Sequence, residues 1–140
     1  MPKQSTLGRN ERLKSRKLIE QLFKTGKSFN AFPFRVFYLI QETSSETRIQ
    51  KKLLQFGAGA STKNFKKAVD RNRIKRLIRE AYRLQKNYLE KIVTEQNKHL
   101  SLFIIYTQKE LPDYNTVSAK TGLILSKLVK LIDETDSPNT

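Results

Sequence analysis

No cysteine occurs in this 140-residue chain, which also holds no tryptophan and one histidine. Without thiols there is neither a disulfide framework nor a thiolate nucleophile. With His99 the lone imidazole, a structural zinc site is excluded. His99 sits in the polar run EQNKHL and reads as a solvated loop residue. Acids are scarce: 13 Asp and Glu stand against 28 Lys and Arg, a net charge of +15. Such a charge costs self-repulsion and favours a polyanionic partner, either nucleic acid or an anionic membrane surface. No apolar run approaches the ~18 residues of a spanning helix. The polar start MPKQSTLGRNERLK lacks the apolar core of a secretory signal. A soluble, cytoplasmic protein is expected, bound to no membrane.

A self-sufficient catalytic constellation is also missing. Hydrolysis by the protein would need paired carboxylates, a nucleophile with a base, or metal ligands. Asp70 and Glu80 are the acids near the densest basic cluster, and both have simpler explanations. Asp70 falls near the positive end of a helix, where a carboxylate is favoured, and Glu80 can pair with Arg76 one turn away. The run GAGAS lacks the trailing Lys-Ser or Lys-Thr of a phosphate loop. No catalytic side chain is assigned, and the chain reads as a binder.

What is abundant is concentrated in Lys66 to Tyr82, KKAVDRNRIKRLIREAY, with four arginines and three lysines. At about 100° per residue, Arg71, Asn72, Lys75, Arg76, Arg79 and Arg83 share one broad face. Ile74, Leu77, Ile78, Ala81, Leu84 and Tyr88 fall opposite. Such a helix is anchored on one side and presents fixed guanidinium groups on the other, suited to bidentate phosphate contacts. A merely solvated charge face would interleave acids, yet only Glu80 is acidic between Lys75 and Gln85. Nucleic-acid contact is the better reading.

Around this helix the chain divides into one domain, 1–140, with residues 1–11 and 134–140 as flexible tails. Ser15 suits the N-cap of a helix near 16–25, stopped at Gly26. Phe32 to Ile40 reads as a strand with Phe34, Val36, Tyr38 and Ile40 on one side and Arg35, Phe37 and Leu39 on the other. An arginine alternating with an aromatic suits a stacking platform for single-stranded nucleic acid, although Phe37 could equally pack beneath the first helix. The polar stretch Gln41 to Lys51 is of the kind that joins two hairpin strands. A second strand follows at 53–61, whose Gly57 and Gly59 would leave a bare groove beside Arg35 and Phe37. The basic helix runs to about Leu89 or Val93, Leu100 to Tyr106 is a buried strand, and a last helix spans about 116–133. The connection from the second strand through the basic helix to LSLFIIY can form a βαβ unit, right-handed by default.

These residues resemble the bacterial ribonuclease P protein family. Its hallmark pairs Arg with Asn, then Lys with Arg three residues on, then a further Arg, matched by Arg71-Asn72, Lys75-Arg76 and Arg79. The first-helix segment RLKSRKLIEQLFKTGKSF resembles the family as well, and the likeness runs from about Arg12 to Tyr106. It implies an α+β fold: a two-layer α/β sandwich with about four strands, three helices and a left-handed βαβ crossover. It implies the role of accessory protein subunit of an endoribonuclease whose RNA removes the 5′ leader of precursor tRNA and carries the chemistry. Arg71, Asn72, Arg73, Lys75, Arg76 and Arg79, with Lys63, Lys66 and Lys67, would face the catalytic RNA. Ile19, Phe23, Arg35, Phe37, Gly57 and Gly59 would line the leader cleft. No cofactor is implied for the free, monomeric protein, and Mg²⁺ is expected in the holoenzyme. The loop Ser61 to Val69 is one residue longer than the family's and lacks its glycine, while Arg35 replaces a common aliphatic.

Other readings compete. A general structured-RNA or ribosomal-RNA binder would share the basic face but not the motif order. A helix-turn-helix DNA binder needs a second helix where LSLFIIY reads as strand. A membrane-surface helix would need an apolar face that the core already uses.

Overall fold

The computed structural model describes residues 12–13, 16–42 and 54–135. The expectations for residues 1–11, Ser15, most of the 41–51 connection and 136–140 lie outside these. In chain order the elements are α1 (Arg16–Thr25), β1 (Lys27–Ala31), β2 (Phe34–Glu42), β3 (Leu54–Ala60), α2 (Ala68–Gln85), α3 (Asn87–Glu95), β4 (Lys98–Tyr106) and α4 (Tyr114–Thr135). The strands form one mixed sheet in the order β1-β2-β4-β3.

β4 takes a central place, with both edges paired and one face fully covered by helices. Leu100, Leu102 and Ile104 are 0% exposed. It runs antiparallel to β2, with Phe37 opposite Phe103, and parallel to β3, with Gly57 opposite the same Phe103. β2 and β3 are therefore not hairpin partners, contrary to the sequence expectation. The hairpin partner of β2 is β1, a polar KSFNA strand turned back through Phe32 and Pro33. That turn also moves the start of the aromatic strand from Phe32 to Phe34. Burial of β4 from Lys98 onward overturns the loop assignment of His99, which is 7% exposed within the strand.

The connection β3–α2–α3–β4 is a parallel crossover. Phe56 turns its ring to α2, while its carbonyl accepts from Leu13 N at 2.8 Å, on the side away from β4. Viewed from its side-chain face and running upward, an L-residue in a strand points both backbone polar groups to the right. β4 therefore lies to the left of β3 with the helices in front, and the crossover is left-handed. The right-handed default does not hold here.

α2, α3 and α4 cover one face of the sheet. Val36, Leu102 and Ile104 meet Ile74, Ile78, Val117, Ile124, Leu128 and Ile132 there, all 0% exposed. Phe56 stacks on Tyr82 with centroids 3.8 Å apart and rings 4° from parallel. The structure has four helices rather than three, because the basic helix is interrupted at Lys86, which is itself 2% exposed. α4 starts at Tyr114 because Asp113 Oδ2 accepts from Thr116 N at 3.1 Å, an N-cap bond. It runs through Glu134 and Thr135, so the expected tail begins two residues early. A Cβ at Gly122 would lie 2.8 Å from Gln85 Oε1, the movable end of a side chain that reaches from α2 to Ser118 O on α4.

Candidate nucleic-acid interface

Two surfaces were expected, and both are assembled. On α2 the buried arc is Ile74, Ile78, Ala81 and Tyr82. It is rotated from the expected one because Phe56 draws Tyr82 inward, leaving Leu84 and Tyr88 50% and 61% exposed. Asn72, Arg73, Arg76 and Arg79 are exposed and Lys75 is half-buried at the edge of the arc. Glu80 does not pair with Arg76. Arg83 takes it instead in a bidentate contact at 2.6 and 3.2 Å, which leaves Arg76 on the outward face.

Arg71 differs from the rest of the cluster. It is half-buried, and its Nη1 donates to Phe65 O at 2.8 Å and Lys66 O at 2.9 Å. The loop before α2 is thereby fixed in the middle. Phe65 is 6% exposed with its ring 6.1 Å from that of Tyr106. Asn64 Nδ2 donates to Thr107 O at 3.1 Å, and Ser61 Oγ accepts from Lys63 N at 3.1 Å. Lys63, Lys66 and Lys67 project from this anchored loop and are all exposed.

The second surface is the sheet face that α2–α4 do not cover. α1 crosses one end of it, with Leu22 1% exposed and Phe23 turned onto the strands. Phe23 lies 4.7 Å from Phe37 and meets Phe103 edge-on at 5.5 Å, interplanar angle 88°. The guanidinium of Arg35 stands 5.3 Å from the Phe37 ring centroid, and its Nη2 donates to Ser28 Oγ at 3.3 Å.

The expected bare glycine groove is absent. β4 intervenes between β2 and β3, and the Phe103 ring lies over Gly57 and Gly59. A Cβ at either glycine would come within 2.6 and 2.9 Å of that ring. The glycines serve close approach, and the floor of the cleft is aromatic. Phe103 was missed in the sequence, although its parity within LSLFIIY sets it opposite Leu102 and Ile104. Its alignment with Phe37 depends on strand register.

At the outer edge of β3 the two surfaces meet. Arg12 and Leu13, bridged to Phe56, border a pocket of about 260 Å³ with Ile19, Gly57, Phe103 and Arg79. Arg79 is exposed as a residue, but partial desolvation where it borders this pocket, and then the nearby charge of Arg12, hold its pKa below the ordinary value. Of the six residues expected in the cleft, Ile19, Phe23, Phe37, Gly57 and Gly59 gather about Phe103, and Arg35 joins through Phe37.

Among the described residues no group of three or more His, Asp or Glu could hold a metal ion, and no helix is long and apolar enough to cross a membrane. A family model described as Ribonuclease P matches residues 7–129. The ribonuclease P protein component of Porphyromonas gingivalis is 38% identical over 111 residues, covering 79% of this chain and 77% of the relative. That of Chlorobium phaeobacteroides is 30% identical over 131 residues, covering 89% and 88%. The solved RNase P protein from Thermotoga maritima superposes with a TM-score of 0.61 at 26% identity, over 84% of this chain and 96% of that one. Sequence, motif and fold agree, and the chain belongs to the bacterial ribonuclease P protein family.

Proposed function

We propose that this chain acts as the protein subunit of ribonuclease P by holding two RNAs at once. The exposed face of α2 and the lysines of the preceding loop bind the catalytic RNA through phosphate, while the aromatic cleft takes the 5′ leader of precursor tRNA. The observation that carries this reading is the adjacency of the two surfaces at Arg79, which belongs to the cation helix and also borders the cleft pocket. Phosphate contacts set affinity and register without reading sequence. Stacking on Phe23, Phe37 and Phe103 tolerates any base, because each base has a π-face, so one protein can serve precursors with different leaders.

The RNA subunit, with its Mg²⁺, performs the phosphodiester hydrolysis, and the protein supplies binding and orientation. The protein acts in the cytoplasm and is monomeric when free. The test is cleavage of precursor tRNA at low Mg²⁺ by a bacterial ribonuclease P RNA, with and without the protein. Strong stimulation with a correct mature 5′ end is expected. Absence of stimulation, with tight binding to unrelated structured RNAs, would leave a general RNA-binding protein instead.

A further inference from the structure

A separate cavity opens on the outer side of the helical layer. Val117, Ile124 and Leu128 turn one flank of α4 to the core. The opposite flank leaves a seam against the junction of α2 and α3. Gln85, Tyr88, Leu89, Gly122, Val129 and Lys130 help to line about 350 Å³ of it, within the ~300–1,000 Å³ of ordinary ligand pockets. No lining residue belongs to the cation face of α2, the lysine loop or the aromatic cleft.

The floor is apolar, with Leu89 and Leu125 buried, and it carries one held acceptor. Gln85 Nε2 donates to Ser118 O at 3.0 Å and to Ser118 Oγ at 3.3 Å. A backbone carbonyl only accepts, so this contact sets which amide atom is the oxygen. Gln85 Oε1 has no donor among the described residues, and it faces Gly122, which has no side chain to crowd it. On the rim, Lys130 is exposed and has no ion pair among the described residues. Tyr88 joins it there, and the exposed Leu84 and Leu123 adjoin Gln85 and Gly122 in sequence.

An occupant that satisfies this seam combines an apolar ring, a donor for Gln85 Oε1 and negative charge for Lys130. Among side chains, the indole of tryptophan is a large apolar ring that only donates, and it is a favoured anchor of protein interfaces. This chain holds no tryptophan, so neither a second copy nor another part of the same chain can supply that anchor. Nucleic acid fits poorly. The lining offers no arginine and a single lysine, whereas a bound strand is held mainly through its phosphates.

We propose that the seam between the α2–α3 junction and α4 docks another protein through a tryptophan set in an acidic segment. The indole lies against Leu89, Leu125 and Val129, its N–H donates to Gln85 Oε1, and a neighbouring carboxylate pairs with Lys130. The RNA-binding surfaces stay open, so the docked protein accompanies the subunit on its RNA.

The test titrates the full chain into the pentapeptide acetyl-Glu-Glu-Trp-Leu-Glu-amide. Because the chain has no tryptophan, the peptide's indole fluorescence reports binding directly. A saturable blue shift is expected; its absence would overturn the proposal. Gly122→Leu fills the seam with a good helix former and should abolish the shift. Ser126→Phe covers it from an exposed position and should do the same, which keeps the test decisive if one variant fails to fold. A shift that persists in either folded variant would place the peptide elsewhere and overturn the site. Methylating the indole nitrogen should weaken binding roughly fivefold, and equal affinity would remove Gln85 Oε1 from the contact. Lys130→Gln should weaken it about threefold, as should serine in place of the peptide's acids; no change in both would overturn the acidic partner.

The complex of the protein with catalytic RNA should bind the peptide as tightly as the free chain does. Displacement of the peptide by that RNA or by a single-stranded hexaribonucleotide would assign the seam to nucleic acid and overturn the protein partner. Failure of the chain to stimulate precursor cleavage would bear on the subunit reading alone, since the peptide titration does not depend on it.

Discussion

The ring of Phe103 occupies the space that a side chain at Gly57 would need, with a Cβ there only 2.6 Å from two ring carbons. The pair stands directly opposite across β4 and β3. Phe103 is thereby held low against the sheet, where Phe23 meets its edge.

Gly57→Ala should therefore displace the ring and destabilise the fold by about 1–3 kcal/mol, as small-to-large changes in packed sites do. Phe103→Leu in the same chain should recover part of that loss. Urea denaturation of the single and double variants checks this, and a neutral Gly57→Ala would mean that the ring is not fixed.

Phe37→Ala should weaken binding of leader-bearing precursor by about 1–3 kcal/mol, the range for one stacked base, and spare mature tRNA. Binding titrations with both RNAs make the comparison. Equal losses would reduce Phe37 to a packing residue beneath Phe23.

Arg71 acts on the loop through two carbonyls, so its charge alone does not reproduce its role. Arg71→Lys should fall nearly as far in catalytic-RNA affinity as Arg71→Ala, with faster amide hydrogen exchange at Lys66 and Lys67 in both. Full rescue by lysine, with unchanged exchange, would make Arg71 a simple phosphate contact.

Arg76→Ala removes an outward cation that holds no fold contact with Glu80. Thermal stability should be unchanged, and the log–log salt slope for catalytic-RNA binding should flatten by about one unit. An unchanged slope in the folded variant would remove Arg76 from the interface.

Hydrogen bonds from the Thr116 side chain and backbone hold the Asp113 carboxyl below its ordinary value of 3.8. A depressed carboxylate pKa stabilises the fold above the ordinary value, and that contribution is lost as pH falls through the lowered one. Asp113→Asn can still cap α4 but does not titrate. Wild type should melt above this variant at neutral pH, and the gap should close in acid. A gap independent of pH would show that the cap bond carries no charge dependence.

The sequence by itself determined what depends on composition and local period. The charge, the absence of thiols, the cation face of α2 and the alternation in β2 follow from residue types at fixed spacing. They were enough to point to RNA as the partner and to the residues that make up the cation face. Tertiary structure decided whatever depends on which strands become neighbours. β1 is too polar to signal itself and exists as the partner of β2. His99 is buried because β4 is paired on both sides. The glycines of β3 carry the Phe103 ring rather than a groove because β4 inserts between β2 and β3. Arg71 became a loop clamp only once Phe65 was drawn into the core. Arg12 and Arg79, 67 positions apart, share a pocket only because Leu13 is bridged to the outer edge of β3. Sequence spacing reports the faces of one element, whereas register and packing set what each face meets.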